Sequence, residues 1–425
     1  MSLSLAAARL APGASEAAAL PTPAPLACSL CGARFDAAPT AICERCLGPL
    51  EPVYDWACPR PARRDIEGRP HTLWRYQEWL PLRGAALHSL DTGFTPLLES
   101  PGLARALGVG RVLVKNDAIS HPSASFKDRV VAVALNAAAA FGLDTVGCAS
   151  TGNLANALAA QAARAGLRAW IFVPEDLEQA KLVGTAVYGA RLVRVRGNYD
   201  DVNRLCGQVA DRFGWGIVNL NLRAYYGEGS KTMAFEIAEQ LGWRLPDAVV
   251  APMAGGSLIS KLDKGFREFV GAGLIEGPSP RMYGGQAAGC APIVKLVEGG
   301  GDVVEPVVPR TIARSIAIGN PADGRFAARA IRASQGAAAA VTDDELLMGI
   351  RLLAETTGVF AETAGGVTVA AAKKLAAEGR LKRGDEVVLC ITGNGLKTVE
   401  AVTSALPPAP VIAAKMGEVT ALVTG

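Results

Sequence analysis

From about residue 110 onward, short apolar runs alternate with longer stretches whose apolar residues recur three and four positions apart. The apolar runs are RVLVKND, TVGCAS, AWIFVP, RLVRVRG, GIVNLN, DAVVAPM, MYGGQ and EVVLCITG. Between most of them lie segments such as NLANALAAQAARAG and TMAFEIAEQLGW. Strands apolar on both faces need cover on both faces, which parallel sheets flanked by helices provide. The alternation therefore predicts an α/β chain, and roughly 300 residues of it predict more than one doubly wound sheet. In such folds ligands sit beyond the carboxyl ends of the strands, where loops lead into helices.

Three loops at predicted strand ends carry polar chemistry. In CASTGNLANALAA, Ser150, Thr151, Gly152 and Asn153 follow a strand and open a helix. Small hydroxyl residues and glycine there leave backbone N–H groups free to meet an anion, although a plain helix cap uses the same residues. In VVAPMAGGSLISKL, Ala254, Gly255, Gly256, Ser257 and Leu258 let the backbone approach a phosphate closely, or simply form a tight turn. The loop matches neither the Walker A pattern nor G-x-G-x-x-G. In VVLCITGNGLKTV, Thr392 closes the last predicted strand with a hydroxyl suited to a ring nitrogen or to a local turn. A fourth feature is Lys127 in HPSASFKDRVV, at the mouth of a further helix. Together an amine, a phosphate cradle, an amide donor and a terminal hydroxyl meet the needs of pyridoxal phosphate. Partial burial lowers a lysine's pKa and frees its amine as nucleophile and base.

The amino-terminal part carries a different chemistry. CSLCGARFDAAPTAICERCLGPL sets Cys28 and Cys31 two residues apart, and Cys43 and Cys46 likewise. Two such knuckles bring four thiolates to one tetrahedral ion, and soft sulfur with no cluster signature favours structural Zn2+. With sulfur at all four positions the metal has no open site. Cys58, Cys148, Cys206, Cys290 and Cys390 read as packing residues.

Composition narrows the function classes. The 425 residues carry a formal net charge of +3, with 20% charged residues, so no electrostatic argument favours nucleic acid or a membrane surface. The ribbon sets Arg34 and Arg45 against Asp36 and Glu44, which gives little phosphate affinity. Only 3 histidines disfavour chemistry built on several of them. Apolar runs fall short of the roughly 20 residues of a membrane span, and the start lacks a basic region followed by an apolar block. A cytoplasmic enzyme is expected.

The stretches TGFTPLL, VKNDAISHPSASFKDR, STGNLANALAA, NLRAYYGEGSKTMAFEIAEQLGWRLPD, APMAGGSL, IAIGNPADG, FAETAGGVTVAA and ITGNGLK resemble threonine synthases, of the tryptophan-synthase-β-like pyridoxal phosphate enzymes of fold type II. The resemblance runs from about residue 90 to 400, and some such chains begin with a zinc ribbon. It implies conversion of O-phospho-L-homoserine and water to L-threonine and phosphate. Related members act on other activated amino acids, by β-replacement or by dehydration of serine or threonine. Carried over, Lys127 is the Schiff-base lysine, Asn153 meets the cofactor's 3′-oxygen, residues 254–258 hold its phosphate and Thr392 faces its ring nitrogen. Ser150, Thr151 and Gly152 would hold the substrate carboxylate. Lys115, Arg223 and Lys231, with Ser123 and Ser125, are candidates for the substrate phosphate. The Ala/Pro/Ser bias of the start reads as a disordered tail over 1–27, followed by a ribbon over 28–56. The rest is expected as a large domain of 57–133 with 223–405, a smaller one of 134–222 and a tail over 406–425, with a homodimer implied by the resemblance. Many relatives have Asn-Pro-x-Arg-x-Glu-Gly-Gln-Lys-Thr where this chain has Asn221 to Thr232, and Thr-Gly-Ser where it has Ser123-Ala124-Ser125.

Overall fold

The computed structural model describes residues 20–424 except 57, 151, 198, 404 and 407. Among the described residues, fifteen strands form four sheets. The largest contains β6 (Leu97–Glu99), β7 (Arg111–Asn116), β12 (Ala248–Pro252), β13 (Arg281–Ala287), β14 (Ala338–Val341) and β15 (Glu386–Ile391), in the order β14-β13-β12-β15-β7-β6. Its pairings are parallel except the edge pair β6–β7. The second sheet holds β8 (Thr145–Ala149), β9 (Arg168–Pro174), β10 (Arg191–Val195) and β11 (Gly216–Ile217), all parallel, in the order β10-β9-β8-β11. Every apolar run singled out in the sequence is a strand of one of these two sheets. The strands β8 and β12 are buried at each residue, as strands covered on both faces must be.

Helices cover both sheets. The helix Lys127–Ala140 is buried from Asp128 to Ala138, where valine and alanine let neighbours approach on every side. The expected domain junction between residues 133 and 134 falls inside this unbroken helix. Against the large sheet, helices Asp343–Thr357 and Thr363–Ala377 meet backbone to backbone. A Cβ on Gly366 would stand 2.3 Å from the Leu346 carbonyl oxygen, so only glycine permits that approach.

The amino-terminal part is more ordered than a tail. Residues 1–19 lie outside the described residues, but β1 (Thr22–Pro23) pairs with β5 (Leu82–Arg83). Beyond it, β2 (Leu26–Cys28) is the central strand of a small antiparallel sheet with β3 (Arg34–Phe35) and β4 (Leu50–Pro52). The part of the tail expected over 1–27 that lies among the described residues is thus corrected, since Thr22 and Pro23 are paired as a strand and Leu26 to Cys28 as another. At the other end, the stretch expected as a tail contains a helix, Met416–Thr424. Among the described residues no helix is long and apolar enough to cross a membrane.

Candidate active site

The chemistry-bearing loops leave the carboxyl ends of four parallel strands. After β8 come Ser150 and Asn153, after β12 the segment 254–258, and after β15 Thr392. After β7 the chain makes a short turn and loop before the Lys127 helix. Main-chain bonds stitch two of these loops together: Phe126 N–H donates to Thr392 O at 2.9 Å, and Asn394 N–H to Ala124 O at 3.1 Å. Lys127, Ser150, Asn153, Arg223, residues 254–258 and Thr392 all line one cavity of about 250 Å³.

Lys127 is half-buried, with Nζ 5.4 Å from the Phe126 ring centre and 5.8 Å from that of Tyr226. Burial among these rings pulls its amine down to about 8, and the Glu362 carboxylate opposes the effect. Asn153 opens its helix and donates from Nδ2 to both Glu362 oxygens, at 2.7 and 2.9 Å. Its Oδ1 accepts from Lys397 Nζ at 3.2 Å. The loop at 254–258 ends in Gly256, at φ +93°, as the N-cap of the Ser257–Gly271 helix. A glycine cap has no side chain to occupy the first-turn amides, which a helix cannot pair internally. A Cβ at Gly256 would lie 2.7 Å from the Asp323 carbonyl oxygen, so glycine is required there. Across the cavity, the Ser315 hydroxyl is buried without a hydrogen-bond partner. A lysine with a lowered pKa, unfilled helix-start amides and an orphaned hydroxyl fit a phosphate-bearing aldehyde cofactor.

Other expected residues have structural duties. Ser150 Oγ accepts from Gly152 N–H and Ala155 N–H, both at 2.9 Å, so its oxygen caps the helix while the residue borders the cavity. Thr151 lies outside the described residues. Ser123 does not reach the cavity: its Oγ donates to Asp128 Oδ1 at 2.7 Å. Ser125 is fully buried beside Gly393, where it pairs as an isolated bridge.

Lys115 and Lys231 require correction as phosphate-pocket candidates, because both are fully buried in ion pairs away from the cavity. Lys115 Nζ lies 2.6 Å from Glu236 Oε2, and also donates to Thr95 O at 2.6 Å and Gln240 Oε1 at 2.9 Å. Lys231 Nζ lies 2.7 Å from both Glu228 and Glu268. Glu228 also receives Lys261 at 2.7 Å, and Glu51 of β4 holds Lys261 and Lys264 at 2.8 Å. This network fastens the small antiparallel sheet to the helices Arg223–Glu228 and Ser257–Gly271. Asp128 and Arg129 are likewise structural. Arg129 Nε donates to Asp117 Oδ2 at 2.6 Å and Nη2 to Glu236 Oε2 at 2.8 Å, holding the helix start behind Lys127.

Arg223 is the one phosphate candidate among the three cations that reaches the cavity, where it pairs with Asp323. Motif reading missed Glu362, Lys397, Asp323 and Ser315. Three of these stand inside the quoted stretches FAETAGGVTVAA, IAIGNPADG and ITGNGLK, as Glu362, Asp323 and Lys397, and a charged residue beside a helix start or loop glycine was the available signal.

At the ribbon, Cys28 Sγ lies 3.4 Å from Cys46 Sγ and Cys31 Sγ 3.7 Å from Cys43 Sγ. All four sulfurs lie within 4.8 Å of one another. Zinc–sulfur bonds of about 2.3 Å in a tetrahedron put sulfurs about 3.8 Å apart, so the cage has the right size. Backbone N–H groups of Leu30 and Arg45 point at Cys28 and Cys43, both at 3.4 Å. Cys148, Cys206, Cys290 and Cys390 are buried as packing residues, whereas Cys58 is half-exposed with its thiol on Asp55.

The sequence pattern of the family described as pyridoxal-phosphate dependent enzyme matches residues 88–393. The threonine synthase of Methanocaldococcus jannaschii is 37% identical over 383 residues, covering 89% of this chain and 94% of that protein. That of Methanosarcina acetivorans is 35% identical over 409 residues, covering 94% and 98%. Among solved structures, maize serine racemase superposes with a TM-score of 0.62 at 19% identity, covering 73% of this chain and 91% of that one, a likeness of fold. The chain belongs to the threonine synthase family of pyridoxal-phosphate-dependent enzymes.

Proposed function

We propose that this cavity forms L-threonine and phosphate from O-phospho-L-homoserine and water. The observation that carries the reading is the convergence of Lys127, Asn153, residues 254–258 and Thr392 on one cavity, from four separate strand ends. When bound, pyridoxal phosphate supplies an electron-withdrawing ring that acidifies the bond to hydrogen at the substrate's Cα. The unfilled amides at the start of the Ser257–Gly271 helix hold the cofactor phosphate. Asn153, through an amide N–H that now meets Glu362, would hold the cofactor's 3′-oxygen, and the neutral Thr392 hydroxyl would hold its ring nitrogen. Lys127, with its amine near 8, moves protons at Cα and Cβ close to neutral pH. Main-chain groups of the 150–152 loop hold the substrate carboxylate, and Arg223 holds the phosphate that leaves from Cγ.

The holoenzyme is tested with O-phosphohomoserine, O-phosphoserine, threonine and serine side by side. Threonine and phosphate in equal amounts from the first, and loss of both with Lys127→Ala, are expected. Release of phosphate from O-phosphoserine alone would hand the site to β-replacement chemistry. The Cys28, Cys31, Cys43 and Cys46 cage is proposed to hold zinc, which locks the small sheet that Glu51 anchors. Elemental analysis is expected to find about one zinc per chain, lost in Cys28→Ser.

A further inference from the structure

The pocket's charge is poorly balanced for a doubly anionic group. Two cations line it, Lys127 and Arg223, against three acids, Asp200, Asp323 and Glu362. Lys127 is committed to the cofactor under the proposed function. Arg223 is therefore the remaining cation among the described lining residues, and it is already occupied. Its guanidinium Nη2 pairs with Asp323 Oδ1, and the two side chains are 27% and 19% exposed. Water and a small anion can thus reach the pair. Burial works against the guanidinium's charge and Asp323 offsets that cost.

The two residues come from unconnected elements. Arg223 starts a helix in the wall nearest the small sheet, whereas Asp323 caps the Gly324–Ala333 helix. Asp323 is placed by its main chain: its N–H donates to Gly255 O at 2.8 Å, and its carbonyl packs against Gly256. The residue's main chain is consequently held beside the cofactor-phosphate loop, which leaves its carboxylate in reach of Arg223 but free to swing away. A small groove on the far side, lined by Leu50 and Glu51, also opens on both residues. The pair thus stands between two spaces.

We infer that Asp323 is a specificity-determining residue that competes with the substrate's phosphate for Arg223. The phosphate displaces Asp323 on binding, and Asp323 reclaims Arg223 after the Cγ–O bond breaks, which speeds release of inorganic phosphate. The inference rests on the proposed function for its substrate. A carboxylate kept beside a cation weakens every anion that must displace it, the repulsive half of specificity. Anions unable to replace a full charge-assisted pair are excluded most.

The test uses holoenzyme as wild type, Asp323→Asn, Arg223→Gln and the double variant, with inorganic phosphate as the titrant in calorimetry. Asparagine keeps the main-chain contacts of residue 323, so the loop survives the change. Asp323→Asn is expected to bind phosphate about tenfold more tightly, the effect of removing one charged competitor. Its KM for O-phosphohomoserine falls, and its kcat falls too as release slows. Arg223→Gln abolishes phosphate binding, and Asp323→Asn adds nothing in that background. Phosphate binding by Asp323→Asn no tighter than wild type, or a gain that persists without Arg223, would overturn the inference. If phosphate binding follows the expected pattern while no variant forms threonine, the substrate reading fails and the competition at Arg223 stands.

Discussion

Glu236 is where three chain segments are tied behind Lys127, and its removal has a calculable cost. Its carboxylate accepts from Arg129, from Lys115, and from the main-chain N–H groups of Phe94 and Thr95. All three charged side chains are fully buried. In Glu236→Ala, Arg129 retains Asp117, but Lys115 and Arg129 then face one buried carboxylate between them. Breaking a buried pair from one side costs about 3–5 kcal/mol. The lowered pKa of the acid corresponds to a similar figure. Burial alone would raise Glu236, yet Arg129 and Lys115 hold it at about 2 instead of its ordinary 4.5. That difference corresponds to about 3 kcal/mol. The sign follows from the depressed value. The stabilisation is complete above about pH 4.5 and is lost as pH falls towards 2. Urea unfolding of cofactor-free protein, followed by circular dichroism from pH 7 to pH 3, measures both. Glu236→Ala is expected to lose about 3–5 kcal/mol at pH 7 and most of the acid dependence between pH 4.5 and 3. A loss below about 0.5 kcal/mol would refute the reasoning, because surface substitutions give that much.

Three further outcomes follow from the same geometry. In cofactor-free protein an amine reagent should label Lys127 with a midpoint near pH 8, against about 10.4 for exposed lysines. The amine is protonated below that midpoint and free above it, so an ordinary profile by peptide mass spectrometry would deny its desolvation. Gly256→Ala forces a side chain into φ +93° and against the Asp323 carbonyl, so pyridoxal phosphate should bind at least about tenfold more weakly in an absorbance titration. Unchanged affinity would remove the cradle role. Steady-state kinetics separate the cations: Arg223→Gln should raise KM strongly, whereas Lys115→Met should leave KM within about twofold, since Lys115 is held by Glu236 in a buried ion pair away from the cavity. A large KM rise in Lys115→Met would restore it to the substrate pocket.

The sheets were legible in the sequence because buried parallel strands are continuous apolar runs. Each run from RVLVKND to EVVLCITG is a strand. Strand β14 escaped notice because AAAV carries one β-branched residue among strong helix formers. Strand β6 is an edge strand of three residues, too short for a period to show. The site loops stood out because glycine and small hydroxyls gather at several strand ends together, although each loop alone also suits a helix cap or a turn. The substrate cations were not. Lys115 and Lys231 look like phosphate ligands along the chain, and only Glu228 beside Lys231 is close in sequence; Glu236 reaches Lys115 from the distant helix Lys231–Gln240, and Glu268 reaches Lys231 from the helix Ser257–Gly271. Pairing of buried charges is a tertiary property, invisible to spacing. Asp323 eluded notice for the same reason, since its partner lies 100 positions away. The ribbon's thiols were legible as one four-sulfur cluster, whereas its attachment through Glu51 to Lys261 and Lys264 was not.

The most direct measurement of the central claim combines a spectrum with a product assay on wild type and Lys127→Ala. Wild-type holoenzyme is expected to absorb visibly through cofactor bound at Lys127 and to release threonine and phosphate one for one from O-phosphohomoserine. Lys127→Ala should lose that absorbance and the products together. Unchanged absorbance in Lys127→Ala, or threonine formed at the wild-type rate without Lys127, would contradict the assignment of this cavity as the site of reaction.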